Sequence, residues 1–320
     1  MTYIKTVLIL LLGVTWVHSY KENRYRMLND GNLIPTIAYG TDTKTTREHI
    51  IWAVEAGFRH IDTAKMYENE AEVGKGIADL IHRGVIKRED IFITTKLLNT
   101  NNSRDEVVPE LKGSLQRLGL DYVDLYLIHS PMAETGSGEF LCTDYVEVWK
   151  GMEEAKSLKL AKSIGISNFN SRQINRILSN CNVVPAVNEI EVNPTYANMP
   201  LVSYCQQHGI NVMAYTSLGH VAPRDFIEDL PPSMDDPVLV GMAKKYNKTS
   251  IQIVLRYSID RGLIPIVRSQ NKSHIQENIN VFDFNVSQKE IYRINEYDLY
   301  TKVHPLARYE PHIFYSFYKP

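Results

Sequence analysis

Cysteine is scarce in this chain: Cys142, Cys181 and Cys205 are the only three in 320 residues. An odd count leaves at least one thiol over, so no disulfide framework holds the fold. An excess of one charge is missing as well. The 35 Lys and Arg nearly balance the 37 Asp and Glu, for a formal net charge of −2 with the signs interspersed. That excludes the basic footprint a nucleic-acid partner requires. A bilayer-spanning stretch, which takes about 20 apolar residues, is also lacking, and no membrane partner is expected. The apolar run from Val7 to Val17 covers only 11 residues. Lys5 precedes it, and Val17-His18-Ser19 places small residues suited to cleavage. Residues 1–19 are therefore expected to be a signal peptide leading to secretion. The alternative is an uncleaved extension on a cytoplasmic protein. Sequons at Asn101, Asn247, Asn271 and Asn285 would matter only as acceptors on that secretory route.

What the chain does have is a series of short apolar strands that end in polar residues. IDTA carries Asp62, with Tyr67 five residues on. IFITTK ends at Lys96, and VDLYLIH at His129. SIGISN ends in Ser167 and Asn168, and AVNEIE carries Asn188 and Glu189. NVMAY ends at Tyr215, and LIPIVRS at Arg268 and Ser269. Such strands deliver their last residues to one place only if they run parallel and share an end.

Helical spacing fills the intervals. Ile50, Ile51 and Val54 follow a possible cap at Thr45-Thr46. Val73, Ile77, Leu80 and Ile81 repeat the spacing, as do Val107, Val108, Leu111, Leu115 and Leu118. Further helices are predicted near 145–156, 171–179, 198–208, 237–246 and 249–260. Alternation of strand and helix implies parallel strands joined by helical crossovers. The predicted fold is a single α/β domain over 20–320, a (β/α)₈ TIM barrel with its site at the C-terminal strand ends. A hairpin around Asn29-Asp30-Gly31-Asn32 should precede it, with Pro35 to Gly40 as the first barrel strand. Two long irregular segments, 130–143 and 220–236, and the aromatic tail 301–320 are expected to roof the site.

The motifs also carry a resemblance. Gly57-Phe58-Arg59-His60-Ile61-Asp62-Thr63-Ala64, then Tyr67-Glu68-Asn69-Glu70, resembles the first signature of the aldo-keto reductases. Lys96, Leu127-Ile128-His129 and Gly165-Ile166-Ser167-Asn168-Phe169 are similar to the others, in order, from about residue 25 to 300. The resemblance implies reduction of a small-molecule carbonyl with NADPH by a monomeric enzyme without a metal. It implies a catalytic set of Asp62, Tyr67, Lys96 and His129. A tyrosine with an ordinary pKa of about 10 becomes a usable proton donor when an ammonium lowers that value. Lys96 should do this for Tyr67, with Asp62 keeping Lys96 charged. His129 should also position the substrate oxygen.

For the cofactor, the resemblance implies Ser167 and Asn168 on the carboxamide and Tyr215 stacked on the ring. It implies Arg268, Ser269 and Asn271 on the 2′-phosphate, and Glu277 and Asn278 on the adenine. Four positions depart from the family pattern. Glu189, implied at the carboxamide, stands where glutamine is usual. His274 replaces an arginine beside the phosphate. Asp42 and Ser130 replace tryptophans of the substrate pocket, which should make it wider and more polar. Together with the leader, the Ser130 strand end resembles insect members, including reductases of 3-dehydroecdysteroids. General aldehyde or sugar reduction, a cofactor-binding sensor and a steroid carrier are the alternatives.

Overall fold

Eight parallel strands close into a barrel: β3 (Ala38–Gly40), β4 (His60–Asp62), β5 (Phe92–Leu97), β6 (Val123–Ile128), β9 (Ala161–Ser167), β10 (Val187–Glu191), β11 (Asn211–Tyr215) and β12 (Leu263–Val267). Sequential neighbours pair all the way round, and β12 returns to β3 through Ile266–Ala38 and Val267–Tyr39. The computed structural model describes residues 24–222 and 230–316. The leader predicted over 1–19 lies outside the described residues, as do Pro223, Phe317 and Tyr318.

Predicted helices form the crossovers, and an unpredicted one follows the last barrel strand. They include α1 (Arg47–Ala56), α2 (Glu70–His82), α3 (Arg104–Leu118), α4 (Tyr145–Ser157), α5 (Ser171–Leu178), α6 (Met199–Gln207), α7 (Pro237–Tyr246), α8 (Ser250–Asp260) and α9 (Lys272–Asn278). Each starts and stops for local reasons. Thr46 precedes α1, and Gly57 ends it at φ +116°, a left-handed backbone that costs glycine little. Asn170 and Gln173 cap the start of α5 reciprocally, as Thr249 and Gln252 do for α8. Each helix presents an apolar stripe to the outer wall of the barrel, where Val54, Leu80, Leu111, Trp149 and Ile174 are buried.

Inside the barrel lies a second apolar cluster, with Ala38, Phe92, Leu125, Leu127, Val187, Met213 and Ile264. Leu28 and Ile34 join it from the hairpin β1 (Tyr25–Met27) and β2 (Leu33–Pro35), which plugs the barrel floor. Pro35 therefore belongs to the hairpin, opposite Tyr25, and not to the first barrel strand. Apolar character runs from Leu33 to Tyr39 with Thr36 as the single polar residue, so periodicity alone does not mark that boundary. The interior leaves little room where β9 passes its neighbours. A Cβ on Gly165 would lie 2.7 Å from both Leu127 Cδ2 and the Val187 carbonyl oxygen. A second correction concerns 130–143, expected to be irregular. It contains a two-stranded ribbon, β7 (Ala133–Glu134) with β8 (Phe140–Leu141).

Candidate active site

The centre of the site is a lysine without access to water. Lys96, near the end of β5, is 1% exposed. Its Nζ donates to both Asp62 oxygens, at 2.9 and 2.7 Å, and to the Thr63 carbonyl at 3.3 Å. Glu189 Oε1, from β10, lies 3.3 Å away. A buried ammonium is tolerable only when paired and hydrogen-bonded. The two carboxylates outweigh burial and raise the Lys96 pKa, so the group stays charged. Burial pushes the Asp62 carboxyl up, against the pull of Lys96.

Tyr67 sits on a 3₁₀ turn, Lys65–Tyr67, directly after the β4 segment that supplies Asp62. Its ring centroid is 5.4 Å from Lys96 Nζ and 6.0 Å from the His129 ring, which it meets edge-on at 86°. Lys96 does lower the phenol pKa, as expected, but it does not set the net shift. Burial dominates and pushes Tyr67 up to about 12; Lys96 opposes this, and the charges of Asp62 and Glu189 add to it. His129 follows β6. Burial, then Lys96, holds its pKa at about 3, so the imidazole is neutral. Its buried Nδ1 has no partner.

Beside this centre, the ends of β9, β10 and β11 form a polar lattice. Asn168 has φ +64°, which asparagine tolerates better than most residues. Its backbone N–H donates to the Glu189 carbonyl at 3.0 Å. Its side-chain amide donates to the His129 carbonyl at 2.9 Å and to Ser167 Oγ at 3.1 Å. The Tyr215 hydroxyl donates to Asn168 Oδ1 at 2.9 Å. Ser167 Oγ in turn donates to the Glu189 carbonyl at 2.8 Å. Ser167, Asn168, Glu189 and Tyr215 are thus one unit, as the sequence implied.

Next to β3, the last strand supplies an exposed cation. Arg268 follows β12 and pairs with Asp42, which follows β3. Asp42 is therefore tied to the guanidinium and is not a free wall of a substrate pocket. Its Oδ1 also accepts from the Lys44 N–H at 3.0 Å and the Thr45 hydroxyl at 3.1 Å. Ser269 Oγ accepts from the Asn271 N–H at 3.1 Å. Asn271 Oδ1 caps the following turn through the N–H groups of Ser273 and His274, at 2.9 and 3.4 Å. His274 is exposed, Asn278 is buried, and Glu277 accepts from the Thr249 hydroxyl at 2.8 Å. Ser130 is buried, with its Oγ accepting from the Met132 N–H at 3.0 Å.

Residues 36–299 match the Aldo/keto reductase family. The chain belongs to that family. Among its relatives, aldo-keto reductase AKR2E4 of Bombyx mori is 50% identical over 280 residues, which is 85% of this chain and 91% of that protein. The crystal structure of AKR2E4 in complex with NADP superimposes with a TM-score of 0.89 at 47% identity, covering 91% of this chain and 98% of that one. A second silkworm aldo-keto reductase, AKR2E5, complexed with NADPH, also gives 0.89, at 37% identity over 92% of this chain and 94% of its own.

Within this aldo/keto reductase, several contacts around the site lie outside the sequence motifs. Glu191, two residues beyond Glu189 on the same face of β10, accepts from the N–H groups of Val303 and His304 at 2.6 and 3.0 Å. It moors the start of the tail. Farther on, Tyr309 and Arg308 reach Glu134 of β7, at 2.7 and 2.6 Å. His312 Nε2 lies 3.1 and 3.0 Å from the carbonyls of Ala133 and Leu141. Tyr309 and Tyr315 pack on Met132. The tail and the segment after β6 are thus one roof, as the long loops suggested. Asn69 ties that side of the mouth together: its amide donates to the Asp42 carbonyl, and its Oδ1 accepts from Thr63, both at 2.7 Å. Alternation on β10 was the available clue to Glu191, since an acidic residue on a buried strand needs a donor.

Proposed function

We propose that this enzyme reduces an aldehyde or ketone with NADPH, and that its own substrate is a bulky, hydroxyl-bearing ketone of the steroid class. When bound, the cofactor supplies the hydride. The donor set fits such a group. Ser167, Asn168 and Glu189 would hold the carboxamide, and Glu189 Oε2 is a buried oxygen with no partner of its own. Tyr215 would flank the ring. Arg268 and Ser269 would take the 2′-phosphate, in the region where barrels often bind phosphate.

The proton chemistry falls to this chain. Negative charge builds on the carbonyl oxygen as its carbon is reduced. His129, neutral and with a free buried nitrogen, orients that oxygen by a hydrogen bond. Tyr67 transfers its hydroxyl proton to it. The phenolate left behind lies near Lys96, whose charge Asp62 maintains. One observation carries the reading, the buried Lys96–Asp62 pair against the Tyr67 ring. Buried ion pairs rarely stabilise a fold more than apolar residues of the same volume. This pair is explained by its effect on Tyr67.

Two side chains at the strand ends support the choice of substrate. Asp42 is drawn to Arg268 and Ser130 is folded into its own turn, so neither side chain fills the space that tryptophans would. NADPH consumption with a panel of aldehydes, sugars and steroid ketones tests the proposal. Turnover of steroid ketones is expected, with a loss of about 10²–10⁴-fold in Tyr67→Phe while NADPH still binds. Tight NADPH binding with no turnover of any carbonyl would make the chain a sensor and overturn the reading.

A further inference from the structure

Two carboxylates converge on one buried ammonium. Asp62 ends β4 and Glu189 lies on β10, four places apart around the eight-stranded ring and so on opposite sides of the barrel mouth. Both reach Lys96, at 2.7 and 3.3 Å, and both are about 4% exposed by side chain. One positive charge meets two potential negative ones in a space that excludes water. Glu189 Oε1 has the longer contact, and Oε2 has none. A carboxylate with an orphaned buried oxygen is the costlier of the two to ionise.

We propose that Glu189 is a positioning residue that carries a proton while the site reduces its substrate and gives it up when the site is alkaline or holds an oxidised, positively charged ring. The inference rests on the reductase reading above.

Every charged or titratable neighbour bears on it. Asp62 faces Glu189 from β4 and Lys96 from β5; Tyr67 faces it from the 3₁₀ turn and Tyr215 from β11. His129 beyond β6 is neutral. Glu191, on the same face of β10, is engaged by the Val303 and His304 N–H groups. Burial comes first and Asp62 second in pushing Glu189 up to about 8, with Lys96 opposing them. With Glu189 protonated, Lys96, Asp62 and Glu189 sum to zero charge, and Lys96 can turn toward a forming phenolate. With Glu189 ionised the sum is −1. A phenolate at Tyr67 then costs more, and Tyr67 becomes a weaker acid. Glutamine at this position could not make that change, because it does not titrate.

Two measurements on the full chain test this. Calorimetric binding of NADP⁺ and NADPH in buffers of different ionisation enthalpy counts protons. Near pH 7.5, NADP⁺ is expected to release about half a proton more per site than NADPH. That difference should vanish in Glu189→Gln. The single-turnover reduction rate should fall about fivefold from pH 8 to pH 9. Glu189→Gln should lose that limb, and Glu189→Asp should keep one, displaced along the pH axis. A purely structural role would shift the whole profile without changing its shape. Equal proton counts for both cofactors, or parallel profiles for wild type and Glu189→Gln, would overturn the proposal and leave the reductase reading standing. Failure to bind either cofactor would overturn that reading instead, and this proposal with it.

Discussion

Substituting asparagine for Asp42 removes the negative charge from the partner of Arg268. The asparagine oxygen can still accept from the Lys44 N–H and the Thr45 hydroxyl, so the turn after β3 should persist. On the proposed placement of the 2′-phosphate at Arg268, the phosphate has to win the guanidinium from this carboxylate in the wild type. Arg268 and Asp42 have side chains 48% and 27% exposed, so water screens the pair. Ion pairs at that exposure are worth about 0.2–1 kcal/mol. Freeing Arg268 should therefore tighten NADPH binding by about 1.5- to 5-fold. Repulsion between Asp42 and a phosphate dianion carries the same sign and adds to the gain. NADH has no 2′-phosphate and should change little, so the ratio of the two affinities is the sensitive quantity. Fluorescence titrations of both cofactors in wild type and Asp42→Asn measure it directly. The gain should shrink as salt rises, because exposed charges are screened within about 8 Å at physiological ionic strength. Unchanged or weaker NADPH binding in the variant would refute the competition, as would an equal gain for NADH.

Three other outcomes are expected. Lys96→Met strands Asp62 and Glu189 without their cation and should cost about 3–5 kcal/mol of stability in denaturant melts; an unchanged midpoint would contradict the buried pairing. The neutral pair His60 and His129, both held at about 3 by burial, bind protons less readily folded than unfolded. Their folded pKa values are depressed, so the stability they contribute is present above about 6.5 and lost as pH falls toward about 3; a melting temperature that stays flat across that window would exclude it. Expression in insect cells should yield protein in the medium that starts near Tyr20, as N-terminal sequencing would show; an intracellular product retaining Met1 would refute the signal peptide.

The barrel was legible because its rule is repetitive. Apolar strands with polar C-terminal residues recur at Asp62, Lys96, His129, Ser167 and Tyr215, and a closed parallel sheet forces those ends together. The start of β3 was not legible, since the run from Leu33 to Tyr39 serves two sheets and changes partner around Thr36, a single polar residue that does not by itself end a strand. The roof was legible as long loops, but its fastening was not. Nothing in the spacing shows that Arg308 meets Glu134 at 2.6 Å, or that His312 meets the Ala133 carbonyl, each across more than 170 residues.

The electrostatics of the site were the least legible, for a physical reason. Motif spacing says that an ammonium stands near Tyr67, and an ammonium alone lowers a phenol pKa. The sign of the net shift depends on how much water the fold removes and on what else faces the ring. Burial and two carboxylates decide it here, and one of those carboxylates is Glu189, which reaches across the barrel from β10. Asp42 is a similar case. As a residue type at a strand end it reads as part of a pocket wall, but a long arginine from the adjacent strand claims it. Both residues depart from the family pattern, and both contact a cation that the family motif supplies. Each replaces an uncharged side chain with a carboxylate and so alters the charge on which Lys96 or Arg268 acts. The four side chains of the tetrad remain together, and the Glu189→Gln and Asp42→Asn variants test whether the two departures change the pH and the cofactor charge at which they operate.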